Sequence, residues 1–132
     1  MTLRWDSVVV DCADNAGLAR WWADVLGWTI VRETLDEVVL VPPQALPEGG
    51  ESAPVDRRGP ILVFGTVPEG KTVKNRLHLD LAPAAGDDQD AEVERLLAKG
   101  ATRVDFGQRP DASWIVLADP EGNEFCVLSP RP

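Results

Sequence analysis

One order of elements is written twice along this chain: an alternating strand, an amphipathic helix closed by glycine, then three more strands. The first copy opens with "SVVVDC" and a helix from "DNAGLARWWADVLG". The second opens with "RLHLDLA" and a helix from "DDQDAEVERLLAKG". Ser7 lies 20 residues before Gly27, and His78 lies 22 before Gly100, so the copies keep nearly one register. Such a repeat constrains the fold more than any single motif. Each copy alone would leave one face of a small sheet bare, whereas two can enclose a core. With 132 residues there is material for one domain and not for two ordinary ones. The expected class is α+β: two βαβββ modules, at about 3–67 and 75–129. They meet near 68–75 within a single domain spanning 1–132.

In the first helix Leu18, Trp21, Trp22, Val25 and Leu26 recur at helical spacing, with an N-cap at Asp14 or Asn15 and a stop at Gly27. "WTIVRE", "EVVLVP" and "ILVFGTV" complete the first set of strands. Between the last two lies "PPQALPEGGESAPVDRRGP", residues 42–60, whose proline and glycine content demands a long loop. "TRVDFG", "SWIVLAD" and "NEFCVLS" complete the second set, with "DPEGN" as the turn between the last two. Alternation then assigns faces. Val8, Val10 and Cys12, then Leu77, Leu79 and Leu81, then Phe125 and Val127 should lie under the helices. Ser7, Val9 and Asp11, then His78, Asp80 and Ala82, then Glu124, Cys126 and Leu128 should face the other way.

Charge narrows the partners. Against 13 basic residues stand 22 acidic ones, a formal net charge of −9. That balance disfavours nucleic acid and anionic membrane surfaces. Lys71, Lys74 and Arg76 form a local basic cluster, read as solvated loop charge or as an anion-greeting patch beside a pocket. No apolar run approaches the roughly 20 residues of a membrane span, and the N-terminus lacks a signal-like apolar stretch, so a cytoplasmic location is expected. Cys12 and Cys126 belong to no CxxC pair and are expected to be reduced and buried.

The paired modules, "SVVVDCADNAGLARWWADVLGW", "KTVKNRLHLDL" and "LADPEGNEFCVL" together resemble the vicinal oxygen chelate superfamily, in its glyoxalase-like, bleomycin-resistance-type branch. The resemblance spans essentially the whole chain and implies that the two modules form curled mixed sheets around a cup-shaped cavity. Metal-dependent members carry four His, Gln or Glu ligands on the first, fourth, fifth and eighth strands. Transferred by position, these fall on Ser7, on Phe64 or Gly65, on His78 and on Cys126, so only His78 is kept. The resemblance therefore implies a cup without that metal and with no cofactor, and it argues against glyoxalase I or extradiol dioxygenase chemistry. A softer zinc set of His78, Asp80 and Cys126 stays open as an alternative. Family members commonly dimerise, so a homodimer is expected. Trp21 and Trp22 point about 100° apart on their helix, which leaves one for the core and one for a partner.

A small hydrophobic or aromatic molecule is the leading occupant of the cup, as in antibiotic-binding relatives. The residues expected around it are Ser7, Val9, Trp28, Phe64, His78, Asp80, Trp114 and Cys126. Trp28 and Trp114 offer flat stacking surfaces. The rival is an enzyme, a metal-independent isomerase, lyase or dehydratase with His78 as general acid or base and Asp80 beside it. Covalent catalysis by Ser7 or Cys126 finds no glycine-flanked nucleophile turn to support it. A third possibility is an interaction domain with an empty cup. Loop 42–60 reads equally as a lid or as a disordered excursion.

Overall fold

A computed structural model describes residues 2–46 and 52–132. The chain divides into two compact units, Met1–Gly70 and Lys71–Pro132. No helix among the described residues is long and apolar enough to cross a membrane.

The first unit runs β1 (Ser7–Cys12), α1 (Asn15–Leu26), β2 (Thr29–Glu33), β3 (Glu37–Val41) and β4 (Ile61–Thr66). Its sheet has the order β1-β4-β3-β2, with β1 and β4 parallel and the other pairs antiparallel. Helix α1 starts where Asp14 accepts a hydrogen bond from the Gly17 amide at 3.0 Å, satisfying one of the free first-turn donors. It ends at Gly27, whose φ of 68° is left-handed and open to glycine at little cost. Leu18, Ala19 and Trp22 are buried on its inner face, over β3 and β4. Trp21 is only half-buried, its ring set edge-on to Trp22 at 5.1 Å between centroids.

Register decides the faces of this sheet. Val8 pairs with Leu62, Val10 with Phe64, and Phe64 in turn with Val38, so these side chains share one side. Leu62, Phe64, Val38 and Leu40 are all buried there. Phe64, expected to line the cup, is therefore a core residue. The fourth-strand position on the other face is Gly65, opposite Asp11. In the 42–60 segment, short 3-10 turns occupy Pro43–Ala45 and Val55–Arg57, and Arg58 Nε donates to the Ala53 carbonyl. The middle of the expected lid, residues 47–51, lies outside the described residues.

The second unit runs β5 (Asp80–Leu81), α2 (Gln89–Ala98), β6 (Thr102–Arg103), β7 (Ile115–Ala118) and β8 (Glu124–Val127), in the sheet order β5-β8-β7-β6. Asp88 caps α2 by accepting from the Asp90 and Ala91 amides, and Val93 and Leu96 are its buried residues. The hairpin between β7 and β8 is organised by Asp119. Its carboxylate accepts from the Glu121 and Asn123 amides, and its own amide donates to the Asn123 carbonyl.

Here the expected strand 76–82 shortens to two residues. Leu77, assigned to the core by alternation, is 92% exposed, while Leu79 and Leu81 are half-buried. The cause is the length of the neighbour. β5 pairs in parallel only with β8, which begins at Glu124, and the residues before it form the Asp119–Asn123 turn. Leu77 has no backbone to pair with. The ladder continues only through the Cys126 and Leu128 amides, which donate to the Leu79 and Leu81 carbonyls at 2.9 and 2.8 Å.

Candidate functional site

The site is built on one face of the second unit's sheet. Asp80 pairs with Cys126, and Cys126 in turn with Val116, so all three project to the same side. His78, two residues before Asp80, joins them. Its Nε2 lies 3.2 Å from Asp80 Oδ1. Asp80 also accepts a hydrogen bond from the buried Cys126 thiol. Burial first, and the Asp80 charge and hydrogen bond after it, push that thiol above its ordinary pKa, so Cys126 is held protonated.

Glu124 sits on the same face and is buried. Burial alone would raise its pKa. Lys71 Nζ at 2.7 Å from Oε1 and the Asn75 amide at 2.9 Å from Oε2 outweigh that cost, so the carboxylate is held below its ordinary value. Of the basic cluster noted in the sequence, Lys71 is thus spent on a structural ion pair. Lys74 instead stands over the Phe106 ring, 5.1 Å from its centroid, where a cation and an aromatic face attract.

Around this cluster opens a cavity of about 160 Å³. Phe106, Trp114 and Val116 provide its apolar wall, and Phe125, one residue out of phase with Cys126 on β8, also borders it. Lys74, His78, Gln108, Glu124 and Cys126 provide the polar positions. Of the residues expected from sequence, His78, Trp114 and Cys126 line it, and Asp80 contacts it through His78. Ser7, Val9 and Trp28 belong to the first unit, where Ser7 and Val9 lie on the face of β1 turned away from Phe64. Phe64 is fully buried, on β4, against which α1 packs.

Phe106, Gln108 and Val116 were not anticipated at the site, while Lys74 comes from the basic cluster read as loop charge or as a patch beside a pocket. For Val116 the signal was present, because counting back from Cys126 across the "DPEGN" turn places it on the same face. Phe106 and Gln108 lie beyond the end of β6, where the chain leaves strand geometry: the Phe106 amide donates to Gln108 Oε1 and the Gly107 amide to Asp105 Oδ1. No periodicity reaches such positions.

The superfamily's four-donor metal set does not fit these residues. At the fourth-strand position Phe64 faces the core and Gly65 has no side-chain donor. Ser7 offers only a neutral hydroxyl, and Cys126 replaces a carboxylate with sulfur. A hard cation such as manganese asks for several oxygen or nitrogen donors, and one imidazole does not supply them.

Comparison with known proteins agrees with the fold. A glyoxalase/bleomycin resistance protein/dioxygenase family enzyme from Burkholderia phytofirmans superposes with a TM-score of 0.66 at 18% identity, over 96% of this chain and 98% of that one. The fosfomycin resistance protein FosX from Listeria monocytogenes, solved with manganese(II) and sulfate, gives 0.69 at 11% identity, over 99% and 93%. A glyoxalase-related enzyme from Fulvimarina pelagi gives 0.61 at 15%, over 97% and 88%. At these identities the likeness establishes the fold alone. None of the curated proteins matches the chain in sequence. The glyoxalase-like domain family model, however, matches residues 7–128 continuously, and the chain belongs to that family.

Proposed function

We propose that this glyoxalase-like protein binds a small, flat, apolar or aromatic molecule in the pocket of its second unit, without the hard-metal centre of metal-dependent relatives. The observation that carries this is the lining itself: Trp114, Phe106 and Val116 border the same cavity as His78, Lys74, Gln108, Glu124 and Cys126. Apolar walls with a few convergent polar groups are the usual composition of small-molecule sites. A volume of about 160 Å³ is below the usual range of roughly 300–1,000 Å³ for drug-sized ligands, so the occupant, or the part of it held here, is small. Lys74 and His78 favour a polar or anionic group on it.

A native mass-spectrometric screen against a metabolite extract, followed by tryptophan fluorescence titration of the captured compound, tests this. Trp114→Ala should weaken binding at least tenfold while leaving the fold intact. Undiminished binding after that substitution, or no captured compound at all, counts against the proposal.

The His78–Asp80 contact favours a second activity, proton transfer to or from the bound molecule. A carboxylate at 3.2 Å orients the imidazole, and an imidazole held in place is a usual general acid or base. The two functions separate at His78→Ala: a binder loses affinity modestly, whereas an enzyme loses turnover and keeps most of its affinity.

A further inference from the structure

The cluster on the pocket wall has a chemistry besides hydrogen bonding. One imidazole, one carboxylate and one thiol, from His78, Asp80 and Cys126, present donor atoms that all lie within 4.8 Å of one another. Parallel register causes the convergence, because Asp80 and Cys126 are partners across β5 and β8. Zinc bonded to nitrogen or oxygen at about 2.0–2.1 Å in a tetrahedron separates those donors by about 3.3 Å. The observed His78–Asp80 separation is 3.2 Å. An edge to sulfur is about 3.6 Å when zinc–sulfur bonds are about 2.3 Å. Reaching it asks only for side-chain rotation, and the His78 and Asp80 side chains are 41% and 49% exposed and have room to turn.

We infer that His78, Asp80 and Cys126 form a site for one soft divalent cation of the zinc type, held by the second unit alone. Neutral imidazole, carboxylate and thiolate together carry two negative charges, which balance the cation, and the displaced thiol proton leaves to solvent. Sulfur in the donor set selects zinc over manganese or magnesium. Glu124, the other acid on this face, is already committed to Lys71 and Asn75 and stays outside. Three protein donors leave a fourth position open beside Trp114 and Phe106, the pattern of catalytic rather than structural zinc. The site differs from the four-donor set tested above: Asp80 has no counterpart there, and no residue of the first unit contributes. It replaces the expectation of a cofactor-free chain, and it rests on the donor cluster alone, independently of any organic ligand.

Cobalt(II) titrated into the full-length, chelator-stripped protein is the probe. One equivalent should bind, giving the visible bands of tetrahedral cobalt and a near-ultraviolet thiolate-to-cobalt charge-transfer band, and zinc should displace it. Cys126→Ser should remove the charge-transfer band, while Cys12→Ala should keep it. His78→Ala and Asp80→Asn should each weaken affinity at least tenfold. These two alter exposed side chains and so decide the matter even if the buried Cys126→Ser variant misfolds. Absence of the thiolate band in the parent protein, its persistence in Cys126→Ser, or unchanged affinity in both exposed-site variants overturns the inference.

Discussion

Glu124 keeps its charge in a buried position because Lys71 and the Asn75 amide each hold one of its oxygens. A carboxylate with a lowered folded-state pKa stabilises the fold above its unfolded value of about 4.3, and that contribution is lost as pH falls through the folded value. Urea midpoints measured between about pH 6 and pH 3 should therefore fall more steeply for the parent than for Glu124→Gln. At neutral pH the variant should be less stable by about 1–3 kcal/mol, the cost of a weakened buried pair. Two apolar residues give the complementary pair. Phe64→Ala should cost about 3–5 kcal/mol, since the ring is fully buried. Leu77→Ala should stay within about 0.5 kcal/mol, since its side chain already meets water. Equal losses from the two in chemical denaturation would contradict these assignments. Sequence alternation placed Val8, Val10 and Cys12 on the side of β1 that Phe64 shares, but it put Leu77 in the core, where the structure leaves it exposed, and it left Phe64 and Gly65 open as the fourth-strand site residue. Only the pairing of Val10 with Phe64 chooses between them, and pairing partners lie fifty-four residues apart.

At the scale of elements, what was legible depended on whether the signal was local. Helix α1 was readable from end to end because its cap, apolar spacing and terminal glycine all lie within fourteen residues, Asp14 to Gly27. Asp14→Ala should cost about 1 kcal/mol, read as a lowered thermal midpoint, because the Gly17 amide loses its acceptor. Strand β5 was overestimated for the opposite reason. "RLHLDLA" alternates cleanly, yet a strand extends only as far as its neighbour, and β8 has no residues opposite Leu77. The segment ahead of β5 is tied instead by side chains, with Lys71 Nζ donating both to Glu124 and to the Val73 carbonyl. The His78–Asp80–Cys126 cluster survives this shortening because it needs only the paired Asp80 and Cys126 and the position two residues before Asp80.

At the scale of the whole molecule, a homodimer is the expected state, and the exposed apolar residues give it a physical basis. The tryptophans of α1 are not that basis: Trp22 is buried and Trp21 is partly covered against it. The first unit instead presents Trp5, two residues ahead of β1, and Val9 within it, 68% and 59% exposed; β1 is an edge strand six residues long. A long apolar edge left bare invites pairing with another chain, and proteins ordinarily cover or charge such edges. A second copy would cover it, at the cost of bringing two chains of net charge −9 together. Apolar contact is indifferent to salt while the repulsion is screened by it, so the dimer should tighten as ionic strength rises. Sedimentation equilibrium at micromolar concentration should give twice the chain mass, with a dissociation constant that falls between low and moderate salt. Val9→Glu places a carboxylate on the exposed edge and adds to the repulsion, so it should yield a folded monomer with an unchanged circular dichroism spectrum. A parent protein that sediments at single-chain mass in moderate salt, or a Val9→Glu dimer as tight as the parent, would remove β1 as the contact surface.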